Sequence, residues 1–442
     1  MFDGRVGGMK QTLLTICLIL FALPSWGQTT FSGGNISGGK ISGGKISRDK
    51  ITGDFHSQLH SDEVNGLIRE YSIKPRRGTI DFDERDKFFN SIWHKKALCA
   101  PRSKKEEYHS SLEIIETQIS KDGYGGSDDR IQPVSNHLLS LASACYSKNI
   151  KVCNNGIEGL KKYLLLDAPK ELKNISREQK IANDYIMNTS FISVVINFLS
   201  IYHEVVGLSD EELSEFDNWL INLTNRYRKN HNDNNEFSEQ YGFIAEMRAA
   251  NHHISSAVSS AALGAWLGEE ELLDYGINQW VVTLRTMRDD GSLPWETSRG
   301  SKAIQYSGYT ITKLLRLAEI LRIQGVNLYE VELNGKTIHD NVSFYLDVLT
   351  NPQLIHKYAK ADFASGGDIP YNEQEEAGQW SGHHAWIPLY ILRFPNHPNS
   401  LRIKNFTGKE NKHTRNLVKV VSRGYGGTYG LDLDSQCFYS FN

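Results

Sequence analysis

The sequence lacks an excess of positive charge: its 442 residues carry a formal net charge of −3 at pH 7. A chain without a basic surplus has no overall attraction for phosphate backbones, so nucleic acid is not expected as a partner. Two short basic clusters, 74–77 (KPRR) and 102–105 (RSKK), are interpreted as solvated surface, with a groove for a polyanion as the alternative.

A long uncharged apolar run of the kind that spans a membrane is also missing. The apolar stretch 13–23 is too short for a span; it follows Lys10 and precedes small residues at 25–27 (SWG). This arrangement is typical of a secretory signal peptide that starts at Met9 and is cleaved after Gly27. The sequence therefore predicts a periplasmic or secreted protein without a membrane span.

Cysteine is scarce, and no CxxC spacing occurs, which argues against a zinc knuckle. Cys17 lies in the predicted signal peptide, which leaves Cys99, Cys145, Cys153 and Cys437. In an oxidising compartment these four permit two disulfides in any of three connectivities. Cys145 and Cys153 lie close together across a predicted helix-to-helix turn, so they are the preferred pair.

Strand-like alternation is rare after residue 85, and no fixed repeat of about 34 or 40 residues is present, which disfavours a regular solenoid. A five-residue repeat over 31–55 is rich in Gly and Ser. It is interpreted as a flexible linker rather than a pentapeptide-repeat coil, because so few units occur. The predicted organisation is a signal peptide (1–27), a linker with an N-terminal extension (28–84), a helical domain (85–400) and a C-terminal tail packed on it (401–442).

Helical periodicity is clearest over 251–324, where three apolar stripes follow one another. Asn251 is a candidate N-cap, and Gly268, 289–291 (DDG) and Gly325 are candidate stops. Short loops between amphipathic helices predict antiparallel neighbours, and many such hairpins in series favour an α/α toroid over an α-solenoid. Further helices are predicted at 134–147, 156–166, 177–206, 210–229, 338–349 and 380–393. Only 418–434 alternates and carries glycines, which predicts a short hairpin or extended segment.

The first and third helices of an antiparallel series run in the same direction, so their N-termini lie at one end of the fold. This brings Asn251 and His252 close to Arg299 and Tyr306. Helix N-termini present free N–H groups and partial positive charge, and an arginine adds a planar fork that matches a carboxylate. The sequence therefore predicts a binding site for an anion at this end.

Two pairs of adjacent histidines, at 252–253 and 383–384, raise the question of a metal site. Adjacent helical residues point about 100° apart, so neither pair converges on one ion as an i, i+4 pair would. A mixed site with one histidine from each pair stays open as an alternative. Hydrogen-bonded, half-buried histidines are the simpler interpretation for His253 and His384, and no metal or other cofactor is expected.

Four motifs follow one another over 248–328, namely RAANHH, DDGSLPWE, SRGSKAIQYSGY and GVNLY. In order and spacing they resemble the Asn-Asn-His, Asp/Glu-x-Gly with Leu-Pro, basic Tyr-x-x-Tyr and Gly-Val-Asp/Asn-Leu elements of the alginate lyase family. A weaker similarity covers 380–395 (GHHAWIPLYILRFP in its last fourteen residues). The resemblance implies an all-α, incomplete α/α toroid like that of the periplasmic mannuronate lyases.

The resemblance also implies a lyase that cleaves a 1,4-linked polyuronate by β-elimination. By motif position, the catalytic residues are Asn251, His252, Arg299 and Tyr306. Ala250, His253 and Ser255 depart from the family pattern, so the sugar need not be mannuronate. Asn251, His252 and Arg299 would neutralise the uronate carboxylate and stabilise an enolate-like intermediate. Tyr306 would move the proton, with His252 as the base for the opposite C5 configuration.

Further side chains are predicted to contact the anionic polysaccharide: Arg248, His253, Trp295, Tyr309, Tyr124, Arg130, His384 and Trp386. Tyr124 and Arg130 lie in the Gly-rich stretch 122–130, which is either a loop that closes over substrate or an ordinary turn. A glycoside hydrolase on the same toroid is an alternative, because Glu296, Asp289 and Asp290 could supply its two carboxylates. A non-catalytic protein that binds exopolysaccharide is the other.

Overall fold

The computed structural model describes residues 71–91, 131–169, 191–240, 251–360, 369–375, 383–423 and 437–438. Within these ranges the chain is helical, with one isolated β-bridge and no strand, as the sequence predicts. The α-helices in chain order are α1 (Phe82–Ser91), α2 (Ile131–Tyr146), α3 (Ile150–Leu165), α4 (Ser193–Val205), α5 (Asp210–Gln240), α6 (Asn251–Leu267), α7 (Glu270–Thr286), α8 (Pro294–Thr297), α9 (Ala303–Ile323), α10 (Ile338–Thr350), α11 (Gln353–Ala359), α12 (Ile387–Arg393), α13 (Pro398–Asn405) and α14 (Lys412–Arg423).

Helices α4, α6 and α9 form a row at the centre of the described residues. Helix α6 contacts α4 on one side and α9 on the other, and nearly every side chain of these three helices is buried. Helix α7 instead buries one stripe and leaves the acidic side chains at its start exposed, as a helix at the outside of a fold does. The outer helices therefore shield the side chains of α4, α6 and α9 from solvent.

Two glycines shape the packing of α6, α7 and α9: one ends α6, and the other allows close contact between the helices. Gly268 ends α6 with φ of +80°, and its N–H donates to the carbonyl of Gly264 at 2.8 Å. A Cβ atom on Gly276 would lie 2.9 Å from Leu317 Cδ1 and 3.2 Å from Ala261 Cβ. Only a glycine at 276 therefore lets α7 approach both neighbours this closely.

Helices α6 and α9 run in the same direction. Asn251, at the start of α6, contacts Lys313 in α9, and further along the two helices Ala261 and Leu317 meet at Gly276. The N-termini of both helices consequently lie at the same end of the fold, which is the arrangement that the candidate site requires.

Residues 71–81, part of the predicted N-terminal extension, lie against the central helices. Arg76 pairs with Asp217 through both guanidinium nitrogens, at 2.5 and 2.8 Å, and its backbone N–H donates to the carbonyl of Trp266. The backbone N–H of Ser72 donates to the carbonyl of Gln324. These bonds attach the extension to α5, α6 and the end of α9.

The C-terminal tail is helical further than its pattern predicts. Residues 418–423 of the predicted extended segment belong to α14, while 424–434 lie outside the described residues. His413, Thr414 and Leu417 are buried at helical spacing, and α14 contacts α10 and α12. Burial of this face overrides the local alternation of valine with polar residues, so the prediction of an extended segment is wrong for 418–423.

The preferred disulfide is confirmed: Cys145 and Cys153 are bonded across the turn between α2 and α3, with their Cα atoms 4.7 Å apart. Cys437 is also disulfide-bonded. The predicted signal peptide (1–27), the repeat (31–55) and the Gly-rich stretch 122–130 lie outside the described residues too. In the part of the chain that is described, no helix combines the length and apolar character that crossing a membrane requires.

Candidate active site

Asn251 lies at the start of α6, and its side chain is bonded to two charged residues, Glu296 and Lys313. Its amide nitrogen donates to Glu296 Oε1 and Oε2 at 3.0 and 3.2 Å, and its amide oxygen accepts from Lys313 Nζ at 2.9 Å. The backbone N–H of Asn251 donates to Glu296 Oε1 at 2.7 Å. Asn251 is the first residue of the helix, and its side chain bonds across to other elements, so the predicted N-cap role is wrong.

Glu296 and Lys313 lie deep in the protein, at 0% and 1% exposure. Burial lowers the pKa of Lys313 well below its ordinary value, and the charge of Glu296 opposes that shift. The ammonium group also lies 4.0 Å from the centre of the Tyr309 ring. The amide of Asn251 thus has a carboxylate on one side and an amine, fixed against an aromatic ring, on the other.

Arg299 lies between two aromatic rings in the loop before α9. Its guanidinium carbon is 4.4 Å from the centre of the Tyr306 ring and 5.6 Å from that of Trp295. Its Nε is 3.7 Å from Glu296 Oε2. The arginine is nearly buried, whereas Trp295 and Tyr306 are half-buried and keep part of their surface in contact with solvent.

These contacts join the two helix N-termini in one site. Asn251 contacts Glu296, which lies beside Arg299, and Arg299 stacks on Tyr306 in the first turn of α9. His252 follows Asn251 and is half-buried. Asn251, Arg299 and Tyr306 thus lie within one set of contacts, and the half-buried Tyr306 and Trp295 expose part of a phenol and of an indole beside Arg299.

A short segment braces the loop that carries Arg299. Gln374 Nε2 donates to the carbonyl of Gly300 at 2.8 Å, and its Oε1 accepts from the backbone N–H of Ile304 at 3.2 Å. The backbone N–H of Glu375 donates to the carbonyl of Ser301 at 2.8 Å. Gln374 therefore satisfies a free N–H at the start of α9 and fixes the turn between Arg299 and Tyr306.

Other residues predicted to contact substrate are buried. His384 and Trp386 are fully buried, the indole N–H of Trp386 donates to the carbonyl of His383, and burial lowers the pKa of His384 to about 3. Both side chains pack among the helices and expose no surface, which argues against their predicted contact with substrate. His253 and Tyr309 are also buried, with Tyr309 covered by Lys313.

Arg248, Tyr124 and Arg130 lie outside the described residues. Among the residues that are described, no three His, Cys, Asp or Glu side chains converge in a way that could hold a metal ion.

Sequence reasoning missed the roles of Glu296 and Lys313. The sequence pattern suggests Glu296 only as a carboxylate for hydrolysis, and it predicts no role for Lys313. A signal did exist for the lysine, because it interrupts the long run of buried residues along α9. A charged side chain in such a run needs a partner inside the protein, although the pattern does not say which one.

Solved structures of similar shape carry the same arrangement of helices. The crystal structure of alginate lyase A1-III from Sphingomonas species A1 matches with a TM-score of 0.58 and 19% identity, over 75% of this chain and 92% of that chain. A complex of an alginate lyase A1-III variant with a tetrasaccharide matches with a TM-score of 0.58 and 18% identity, over 75% of this chain and 91% of that chain. The fold is therefore an α/α toroid, as the sequence predicts.

A family model described as alginate lyase matches residues 100–355, which is more than half of the chain. The chain belongs to the alginate lyase family. A polysaccharide lyase of Stenotrophomonas maltophilia (strain K279a) is 30% identical over 82 residues, which are 19% of this chain and 25% of that protein. The match thus spans about a quarter of the length of this curated relative.

Proposed function

We propose that the protein is a polysaccharide lyase that cleaves a 1,4-linked polyuronate, alginate or a related polymer, by β-elimination. The observation that carries the proposal is the guanidinium of Arg299, which is stacked on Tyr306 beside the N-termini of two parallel helices. A fixed positive charge next to a phenol combines the two groups that this elimination needs.

The first requirement is to neutralise the carboxylate on C5 of the sugar, because its negative charge makes the C5 proton hard to remove. Arg299, which is buried directly beneath Tyr306 and Trp295, supplies a planar fork, and the half-buried His252 supplies a donor. The field of the two helix N-termini adds partial positive charge. Asn251 is fully buried, so it contributes from within the protein.

The second requirement is proton transfer. Tyr306, reacting as the phenolate, takes the C5 proton while the C4–C5 double bond forms and the C4–O bond breaks. The departing oxygen then takes the proton from the same phenol, so the side chain ends the cycle as it began. For a sugar with the opposite C5 configuration, His252 is the base. Protein groups provide every step, and the chemistry has no need of a metal.

Trp295 is the candidate for stacking on a sugar ring, since it is half-buried beside Arg299. The proposed partner is an anionic polysaccharide outside the cytoplasm. The predicted signal peptide supports that location, and so does the disulfide between Cys145 and Cys153, because such bonds persist in oxidising compartments.

A glycoside hydrolase is less well supported. It needs two carboxylates that face each other across the bond to be cut. Glu296 is committed to Asn251, Asp289 pairs with Lys336, and Asp290 binds Tyr358 and Lys357.

The deciding experiment incubates the purified protein with polymannuronate, polyguluronate, polyglucuronate and neutral glycans. New ultraviolet absorbance from C4–C5 unsaturated ends on a polyuronate is the expected result. Reducing ends without that absorbance would indicate a hydrolase, and binding without product a non-catalytic protein. We expect a chelator to leave the rate unchanged; a loss that added zinc restores would revive a metal site at His252.

A further inference from the structure

We propose that Glu296 and Lys313 are positioning residues that hold the amide of Asn251 in a single orientation; the inference rests on the proposed lyase function. Neither residue touches the solvent-facing surface of the site, and both bond directly to Asn251.

The two charged groups select the same orientation of the amide. The amide nitrogen can only donate and the amide oxygen can only accept. Glu296 requires a donor, and Lys313 supplies one to the amide oxygen. With the amide reversed, its oxygen would face the Glu296 carboxylate, which can only accept, so the bonds from the amide nitrogen to Glu296 would be lost in a buried place.

The same two residues fix the backbone around Asn251. Glu296 accepts from its N–H, and Lys313 donates to its carbonyl at 3.2 Å, where Ser255 Oγ also donates. Lys313 is itself held by the face of Tyr309. Four hydrogen-bonding groups of one residue are thereby fixed by two side chains, and His252 starts from the backbone position that they define.

Glu296 also lies between Asn251 and Arg299. Its Oε1 accepts from Asn251, and its Oε2 is 3.7 Å from Arg299 Nε. One carboxylate therefore sets the relative placement of two residues that come from different elements. Enzymes lose roughly 100-fold in rate when a catalytic group is misplaced by about 1 Å, which is the scale of effect expected here.

The test measures kcat and KM for Glu296→Gln, Lys313→Met and the double variant on the polyuronate that the wild-type protein cleaves. We expect each single variant to lower kcat about 100-fold per folded molecule, with KM within about threefold of wild type. Because both residues act on one amide, the double variant should lose no more than the worse single variant. It also removes both buried charges together, so it stays measurable if Lys313→Met folds poorly.

The decisive comparison repeats the Glu296 and Lys313 substitutions in a protein that already carries Asn251→Ala. If Glu296 and Lys313 act mainly through the amide of Asn251, their substitution in Asn251→Ala should lower kcat by clearly less than in the wild-type protein, with the residual loss coming from the backbone bonds and from the contact of Glu296 with Arg299. An equal further loss in that background would overturn the inference. Glu319→Gln is the matched control, because it neutralises another buried carboxylate of similar exposure on α9, which pairs with Arg393 instead. It should lower the melting temperature and keep kcat per folded molecule.

Two other results are distinguishable. If the wild-type protein cleaves a polyuronate and the single variants keep its kcat once corrected for the folded fraction measured by circular dichroism, the positioning role is wrong and the lyase function stands. If the wild-type protein cleaves none of the polyuronates, the proposed function fails and the positioning role fails with it.

Discussion

Arg299→Lys is the substitution that best separates charge from geometry at this site. It keeps one positive charge and removes the planar guanidinium that stacks on Tyr306 at 4.4 Å and approaches Trp295 at 5.6 Å. An ammonium group has no flat face, and it cannot bind both oxygens of a carboxylate with a rigid fork. A site that needs only a cation would tolerate the change, whereas a site that needs a fixed fork would not.

The size of the effect follows from these contacts. A desolvated cation–π contact is worth about 2 kcal/mol or more, and Arg299 is buried against the nearer ring. Loss of one well-placed donor to developing negative charge costs roughly 100- to 1,000-fold in rate. Because lysine retains the charge, we expect the lower end, a fall of about 100-fold in kcat/KM, or about 2.7 kcal/mol of transition-state stabilisation.

The assay is the initial rate of ultraviolet absorbance over a range of polyuronate concentrations. Arg393→Lys is the control, since it makes the same replacement at another largely buried arginine, which pairs with Glu84 and Glu319. We expect the control to lower the melting temperature and to keep kcat/KM. Arg299→Lys with kcat/KM within threefold of wild type would refute the role of the fork.

The remaining predictions concern the proton carrier and the stability of the fold. Tyr306→Phe should abolish turnover and keep the circular dichroism spectrum; measurable turnover would remove Tyr306 from the mechanism. Replacing both Cys145 and Cys153 by alanine should lower the free energy of unfolding by about 2.5 kcal/mol, from the loop entropy of a separation of 8 residues, as measured by urea denaturation. Stability should also fall as the pH drops below about 6.5. Burial lowers the pKa of His384 to about 3, and burial lowers that of His383 and of His413 to about 4. The unfolded chain therefore binds protons first, and each such histidine removes about 1.4 kcal/mol per pH unit until its folded pKa is reached. Urea midpoints that stay constant between pH 7 and pH 5 would contradict this.

Periodicity and turn chemistry were enough to predict the long helices between residues 131 and 350 and the shared end of α6 and α9. Those features depend on local sequence, since a stripe of apolar residues and a glycine stop each act over a few residues. The meeting of Asn251, Arg299 and Tyr306 followed from helix direction alone. The hydrogen-bond partners of Asn251 could not be predicted in this way, because Glu296 and Lys313 are 45 and 62 residues away in sequence and no local rule selects them.

The burial of His384, Trp386 and Lys313 is the other feature that the sequence pattern does not predict. The stretch around His384 and Trp386 contains polar and aromatic residues that suit a sugar-binding surface, yet it lies beneath neighbouring helices. Lys313 has the opposite character, a charge within a helix that is buried on every side. In both places the surroundings are set by elements distant in the chain, and a single sequence does not report them.

The segment that holds Gln374 has a practical consequence for anyone who shortens or tags this chain. Lys412, the first residue of α14, donates to the carbonyl of Gln374 at 2.7 Å, and Gln374 in turn grips the turn that presents Arg299. Gln374 therefore links α14 to the turn that carries Arg299. A deletion that removes α14 would therefore loosen the turn that presents Arg299. For this reason we expect α14 to be needed for full activity.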